Sequence, residues 1–164
     1  MATPSLTISN SVTGKVTSVD LRKTATNVDG TSVFVLSPGN VRVTIGSTMP
    51  QTLEFEGMSS VLASNYFSQV RITADSGNNT FRSMGESAVT DVEGGPGRNI
   101  YQYYAGALVI EDYKVGTDRI SLPLYLARAQ TIGSDGNGGT MLTFGSAGSG
   151  FIDVVGVDPA IFRN

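Results

Sequence analysis

The sequence contains no cysteine, no histidine and no tryptophan among its 164 residues. Without cysteine the chain has no disulfide, no thiolate metal ligand and no thiol nucleophile. Without histidine it lacks the commonest general base and the commonest metal ligand, which excludes Ser-His-Asp and Cys-His catalytic arrangements. An enzyme made from this chain would have to use carboxylates, lysine, tyrosine or a borrowed cofactor. We therefore expect a protein that is not an enzyme and that uses neither a cofactor nor a metal.

Positive charge and long apolar runs are also scarce. The chain has 11 Lys and Arg against 14 Asp and Glu, a net charge of −3, whereas general polyanion binders are basic. No apolar run approaches the roughly 18 residues of a membrane-spanning helix. Residues 1–11 show neither a charged n-region nor an apolar h-region, so we expect no secretory signal. The length of 164 residues predicts one domain over residues 1–164, and a hydrophobic content of 40% predicts that it is globular, so we expect no membrane partner.

Short strand patterns, separated by Gly, Pro, Asn, Asp and Ser, fill most of the chain. Ten to twelve such segments at a spacing of roughly 8–12 residues predict an all-β or mostly β fold. We expect an antiparallel sheet or sandwich with at most one or two short helices. The one helix candidate in the middle of the chain is the segment 58–66, where apolar residues have roughly helical spacing. No repeat of about 20–50 residues is convincing, which disfavours a solenoid.

The segment 31–45 predicts a hairpin that turns at Ser37-Pro38-Gly39-Asn40. In the expected register Phe34 pairs with Val43, and alternation then puts five apolar residues on the core face: Phe34, Leu36, Val41, Val43 and Ile45. Val33 and Val35 would lie on the opposite face beside Arg42. That face is too apolar to meet only water, so we interpret Val33 and Val35 as candidate residues of a subunit interface.

Basic residues near threonines suggest a second kind of site. If the strands that carry Arg42 and Arg71 belong to one sheet, their polar faces form a cationic strip suited to phosphate. The candidate nucleic-acid-binding residues are Arg42, Thr44, Arg71 and Thr73, and RNA is the partner that such a strip would bind. The alternative is that scattered arginines only make the sheet soluble.

Other chemical patterns have ordinary explanations beside functional ones. Strand carboxylates could form a catalytic pair in a cleft, but acidic residues on strand exteriors are usually just solvated. The loop 134–139 has Asp135 and Asn137 in the alternation of a calcium loop, but it lacks the closing glutamate. Four tyrosines could form a stacking platform for a sugar or a base, or could pack in the interior: Tyr101, Tyr103, Tyr104 and Tyr113.

The segment 6–45, LTISNSVTGKVTSVDLRKTATNVDGTSVFVLSPGNVRVTI, resembles the amino-terminal part of single-stranded RNA bacteriophage coat proteins. Shared features are an early short hairpin, an L-x-K/R-like segment and an antiparallel strand pair. The resemblance implies intertwined homodimers that build an icosahedral shell and package RNA against the inner face of the sheet, where Arg42, Thr44, Arg71 and Thr73 would lie. That family ends in two helices, whereas residues 119–157 here predict strands and glycine loops. Jelly-roll capsid and decoration proteins also fit the β pattern.

These observations favour a viral or phage structural protein, a coat subunit that self-assembles into the capsid of a virion. Self-association would cover the apolar hairpin face, and RNA would be a second partner. The alternative is a β-sandwich binding module of the adhesin or decoration type. Such a module would recognise glycan or protein through residues 101–104 and the glycine loops.

Overall fold

The computed structural model describes residues 3–21, 26–37, 39–57, 60–75, 77–147 and 150–163, and most of them form β-strands. In this part of the chain the only α-helix is α1 (Leu124–Ala129), and two short 3-10 helices lie at Gly145–Ala147 and Pro159–Phe162. The strands are β1 (Ser5–Asn10), β2 (Val16–Asp20), β3 (Thr26–Val28), β4 (Thr31–Ser37), β5 (Asn40–Ile45), β6 (Gln51–Glu56), β7 (Ser60–Asn65), β8 (Gln69–Ala74), β9 (Thr80–Ser83), β10 (Val89–Glu93), β11 (Ile100–Tyr103), β12 (Gly106–Ile110), β13 (Arg119–Ser121), β14 (Thr131–Ser134), β15 (Thr140–Thr143) and β16 (Gly150–Val154). This architecture confirms the prediction of a mostly β fold.

The strands form two sheets that share one hydrophobic core. Sheet A has the order β14-β15-β16-β12-β10-β8-β6-β1-β2, and sheet B has the order β13-β11-β9-β7-β5-β4-β3. From β5 to β13 the chain alternates between the sheets, and neighbouring strands within each sheet are parallel. Paired residues in successive coils are 18–20 positions apart, as in Val41–Val61, Ala63–Phe81 and Phe81–Tyr101. The middle of the molecule is therefore a parallel β-solenoid.

Antiparallel pairing is confined to the two ends of the solenoid. At one end β1 pairs with β2 and β6, and β4 pairs with β3 and β5; at the other end β15 pairs with β14 and β16. The expectation of antiparallel strands thus holds at the ends, but the expectation against a solenoid was wrong. The coils repeat a buried position rather than a residue type, because the position of Val43 is taken in turn by alanine, phenylalanine and tyrosine. A search for repeated residue types in the sequence does not detect such a repeat.

The hairpin of β4 and β5 forms, but its register differs from the predicted one by one residue. Val33 pairs with Val43 and Phe34 with Arg42, and the pairing shifts at a bulge between Val35 and Ser37. A one-residue slip exchanges the two faces of a strand.

The bulge overturns the assignment of Val33 and Val35 to a subunit interface. Val33 is 1% exposed and belongs to the core, and Val35 packs against the core from a half-buried position. The side chains that point outward on β4 are Phe34, which is 47% exposed, and Leu36, which is 61% exposed. The hairpin therefore does expose apolar side chains, but they are Phe34 and Leu36 rather than Val33 and Val35.

The helix candidate at 58–66 is a strand in its described part. Residues 60–65 form β7, which pairs in parallel with β5 and buries Val61 and Ala63, while residues 58 and 59 lie outside the described residues. Of the described residues with that helix-like spacing, Val61 and Asn65 are buried in β7 and Leu62 is half-buried on the outer side of the sheet. Tertiary packing here overrides the local pattern.

A ladder of buried polar side chains holds one corner of the solenoid. Asn79 Oδ1 accepts a hydrogen bond from the backbone N–H of Val61 at 2.9 Å, and Asn99 Oδ1 accepts one from the N–H of Asn79 at 3.3 Å. In the next coil Asp118 Oδ1 accepts a hydrogen bond from the N–H of Asn99 at 2.9 Å. Each side chain therefore accepts a hydrogen bond from a backbone N–H group of the preceding coil, at a corner where the parallel strand pairing supplies no acceptor.

The carboxyl-terminal end differs from the predicted strands. β13 ends at Ser121 and is an edge strand of sheet B, and Pro123, which cannot donate a backbone hydrogen bond, follows it. After this proline the chain forms α1 instead of more strand, and Leu126 of α1 is fully buried. Asp158 caps the last 3-10 helix, because its Oδ1 accepts a hydrogen bond from the N–H of Ala160 at 2.8 Å.

Candidate association surface

The outer face of sheet B carries arginines and apolar side chains side by side. Strand register places one row across six strands: Phe34, Arg42, Leu62, Thr80, Ile100 and Arg119. A second row runs beside it: Ser32, Thr44, Ser64, Arg82, Gln102 and Ser121. Together with Leu36, these two rows make up the surface that we name the basic face.

Alternation along each strand produces this face. The residues between the outward ones are buried in the core, for example Val43 in β5, Phe81 in β9 and Tyr101 in β11. Neighbouring strands lie about 4.8 Å apart, so Phe34 and Arg119 at the two ends of the first row are about 24 Å apart. The sequence therefore builds one continuous surface from residues that are distant along the chain.

The basic face has no carboxylate to balance its arginines. None of the described strands of sheet B contains Asp or Glu. The ion pairs found among the described residues use Lys15, Arg71 and Lys114 as cations and none of the arginines of this face. Arg82 Nε donates a hydrogen bond to Gln102 Oε1 at 2.6 Å, which holds that side chain along the sheet. The guanidinium groups of Arg42 and Arg119 are exposed on the same surface.

The outer face of sheet A has the opposite charge, and we name it the acidic face. Its carboxylates lie on or next to β6, β10, β12 and β16: Glu54, Glu56, Asp91, Glu93, Glu111 and Asp153. The one cation among the outward strand residues described here is Arg71, which pairs with Asp91 at 3.2 Å and with Glu93 at 3.7 Å. The two outer faces of the solenoid therefore carry charges of opposite sign.

Crowding on the acidic face disfavours ionisation of two carboxyl groups. Burial raises the pKa of Glu111, the neighbouring Asp91 raises this pKa further, and Arg71 acts against both. Burial also raises the pKa of Asp153, and Asp135 adds to the effect. Since raised pKa values of acids favour the neutral form, this face would be stabilised by added positive charge.

The predicted nucleic-acid strip does not form, because its four residues lie on opposite sides of the molecule. Arg42 and Thr44 belong to β5 in sheet B, whereas Arg71 and Thr73 belong to β8 in sheet A. Arg71 is moreover held by two carboxylates. The arginines that share an outer face with Arg42 are Arg82 and Arg119, which the sequence reasoning missed. The signal that could have found them is the coil spacing, since these residues occupy outward positions of every second coil, on β5, β9 and β13 of sheet B.

Most of the four tyrosines proposed as a stacking platform pack in or against the hydrophobic core. Tyr101 and Tyr103 are fully buried, and their rings lie 5.6 Å from Phe81 and 4.8 Å from Phe144 between centroids. Tyr113 is partly buried and packs near Phe162. Tyr104 is 41% exposed and has no aromatic neighbour among the described ring pairs. The aromatic surface that motivated a glycan-binding module is therefore absent from residues 101–104.

Burial of these tyrosines predicts a cooperative alkaline transition. Burial raises the pKa of Tyr103 to about 12, and burial together with Asp112 raises the pKa of Tyr101 far above its ordinary value. The unfolded chain ionises its tyrosines near pH 10, so the stability of the fold is intact below that pH and falls as the pH rises above it. We expect the ionisation of Tyr101 and Tyr103, followed at 295 nm, to coincide with the loss of the β circular dichroism signal.

Two tyrosine variants test this expectation. Tyr101→Phe removes one group that ionises only on unfolding, so the midpoint of alkaline unfolding should move to higher pH. Tyr104→Phe changes an exposed side chain and serves as the control with no shift. An unchanged midpoint in Tyr101→Phe would contradict the burial argument.

Two further surface features are a groove on sheet A and the loop 134–139. A shallow groove of about 440 Å³ on sheet A is lined mainly by hydroxyl and carboxylate groups, among them Thr7, Glu54 and Thr73. Asp135 of the calcium-like loop accepts hydrogen bonds from the N–H groups of Asn137 and Gly139, as in an ordinary turn. Among the described residues no group of three or more Asp and Glu is placed to hold a metal ion. In the same part of the chain no helix has the length and apolar character to cross a membrane.

Comparisons with known proteins add no relative. The resemblance of residues 6–45 to phage coat proteins stays a prediction. No family model, no curated protein and no solved structure matches this chain.

Proposed function

We propose that this chain is a structural subunit that assembles with copies of itself, as the coat subunit of a virus particle does. The observation that carries the proposal is the basic face, where Phe34 and Leu36 are 47% and 61% exposed beside the unbalanced Arg42. Full burial of a side chain of this size stabilises a complex by about 1.5–3 kcal/mol. Such a surface gains free energy when a partner covers it.

The size of the basic face suits an interface between protein subunits. It spans about 24 Å across its strands, and strands of three to seven residues, five on average, give it a length of about 17 Å. Its projected area is therefore about 400 Å², and the relief of the side chains increases the accessible area further. A standard interface buries about 800 Å² per partner, so this face supplies about half of that area before its relief and rim are added.

RNA is a separate part of the coat proposal. The arginines of the basic face could contact phosphate, but the strip that was expected to bind RNA is divided between two faces, and the net charge is −3. We propose self-assembly as the primary activity. RNA would be a cargo of the particle, and its presence is measured on the purified particle. The ratio of absorbance at 260 and 280 nm reports it directly.

The proposal predicts assembly that depends on Phe34 and Leu36. The wild-type chain should form a species larger than a monomer in light scattering and negative-stain microscopy at micromolar concentrations. The double variant Phe34→Ser/Leu36→Ser should be monomeric, because it removes the exposed apolar area without opening the core.

A matched control separates this effect from general surface polarity. Val12→Ser/Val115→Ser changes two side chains that are 62% and 53% exposed outside sheet B, and it should assemble like the wild type. A wild-type chain that stays monomeric at high concentration would remove the proposal. Full assembly of the Phe34→Ser/Leu36→Ser variant would also count against it.

A further inference from the structure

We infer that the partner of the basic face is the acidic face of a second copy, so that copies stack with sheet B against sheet A. This inference rests on the proposed self-assembly and specifies the surfaces that meet. Among pairings of the two outer sheet faces it is the one that brings unlike charges together. Stacking two basic faces would put arginines against arginines, and stacking two acidic faces would add carboxylates to a surface that is already crowded.

Exposed charges on the two faces are available to each other. Glu54 and Glu56 are exposed on β6 and take part in none of the ion pairs found among the described residues. Arg42 and Arg119 are exposed on the basic face and are equally absent from those pairs. Guanidinium groups bind carboxylates with short, charge-assisted hydrogen bonds, so a second copy supplies the ligand chemistry that each face lacks.

The acidic face also offers apolar area to receive the apolar side chains of the basic face. Register aligns Val89, Ala107 and Phe151 in one row across β10, β12 and β16. Val89 is 37% exposed, and Ala107 and Phe151 are half-buried on the outer side of the sheet. Both faces therefore carry apolar side chains close to charged ones, within one row on the basic face and in neighbouring rows on the acidic face.

The placement of the two faces determines what kind of assembly results. They lie on opposite sides of a two-layer body, so a copy that binds one neighbour through sheet A still presents sheet B to another. Such a contact is heterologous, and repeated addition gives either a closed ring or an open stack. This differs from the homodimer implied by the coat-protein resemblance, in which one face would meet its own copy.

Two charge-reversed variants test the pairing by complementation. Glu54→Lys/Glu56→Lys introduces two lysines on β6 and changes the net charge of the acidic face from −5 to −1, and Arg42→Glu/Arg119→Glu changes that of the basic face from +3 to −1. Each variant alone should be monomeric at concentrations where the wild type assembles, with the concentration for half-assembly raised by about tenfold or more. An equal mixture of the two should assemble again, since the native arginines then meet native glutamates and the introduced glutamates meet the introduced lysines.

Controls account for charge and folding. Glu86→Lys and Arg98→Glu change exposed charges in turns outside the two faces and should assemble like the wild type. Circular dichroism checks that each variant is folded. If a reversal does not fold, Glu54→Gln/Glu56→Gln and Arg42→Gln/Arg119→Gln replace it; these neutral variants should assemble more weakly than the wild type at low salt and lose its salt dependence.

Each outcome separates this inference from the proposed function. A monomeric wild type overturns the proposed function, and the inference with it. A wild type that assembles while the Glu54→Lys/Glu56→Lys variant also assembles alone shows that the acidic face is not the partner. Two variants that stay monomeric when mixed overturn the pairing as well, and in both of these cases self-assembly itself stands.

Discussion

Replacing Phe81 with alanine is expected to lower the free energy of unfolding by about 3–5 kcal/mol, the usual cost of removing a large buried aromatic side chain. Phe81 is fully buried, and its ring stacks on Tyr101 at a centroid distance of 5.6 Å. It lies in the middle of sheet B, between Ala63 of the preceding coil and Tyr101 of the next. The cavity would open between two coils that cannot close it without breaking their ladders.

Denaturant unfolding followed by circular dichroism measures this loss. Phe67→Ala is the matched control, because it removes the same side chain from the corner after β7, where Phe67 is 56% exposed and outside the proposed interface. We expect that control to cost about 0.5 kcal/mol or less, as surface substitutions usually do. Similar losses for the two variants would mean that Phe81 does not lie in the core between the sheets.

Replacing Asn99 with alanine is expected to cost about 1–3 kcal/mol, although it removes only a polar side chain. Asn99 is fully buried; its Oδ1 accepts a hydrogen bond from the N–H of Asn79, and its Nδ2 donates to the carbonyl oxygens of Gly95 and Gly97. Alanine leaves the buried N–H of Asn79 without an acceptor, whereas Gly95 still accepts a hydrogen bond from Lys114 and both glycine carbonyls belong to half-buried residues.

An exposed asparagine of the preceding coil, Asn78, provides the comparison for Asn99. Asn78 is exposed, and its Oδ1 accepts a hydrogen bond from the N–H of Arg98 at 2.9 Å. Water can replace that acceptor after Asn78→Ala, so we expect a loss of about 1 kcal/mol or less. Thermal and denaturant melts of both variants give the difference. An Asn99→Ala protein as stable as the wild type would contradict a structural role for the buried ladder.

The sequence predicted individual strands where alternation was unbroken. In β6 (Gln51–Glu56) the buried Leu53 and Phe55 alternate cleanly with polar residues, a pattern that by itself predicts a half-buried strand. β4 was assigned the wrong faces because a bulge adds one residue near Leu36, and no pattern of apolar letters marks a bulge of this kind. Local chemistry therefore located the strands, but the pairing of β4 depended on backbone geometry.

The solenoid was missed because its repeat is visible at the corners rather than in the strands. Gly77 and Gly97 are 20 residues apart, and a Cβ on Gly97 would lie 1.6 Å from the carbonyl oxygen of Gly77, so the two turns stack in contact. Asn79 and Asn99 have the same spacing and belong to the same ladder. These two spacings were readable in the sequence and indicate coils of about 20 residues.

The basic face was not predicted from the sequence, and the reason is topological. The sequence reasoning placed Phe34 and Leu36 in the core, and it joined Arg71 to Arg42 as if successive strands of the chain shared a sheet. In a parallel solenoid successive strands alternate between two sheets, which places Arg71 on the opposite side of the body. That Arg82 and Arg119 share a face with Arg42 becomes visible only after that alternation is known.

The coil of 18–20 residues also gives the molecule a simple way to change length. A coil contacts only the coils before and after it, so one inserted copy would lengthen the body by about 4.8 Å and leave the two ends as they are. Each insertion would also widen both outer faces by one strand while keeping their charges on opposite sides. Gene duplication within residues 60–110 could therefore enlarge the binding surfaces in equal steps without a new fold.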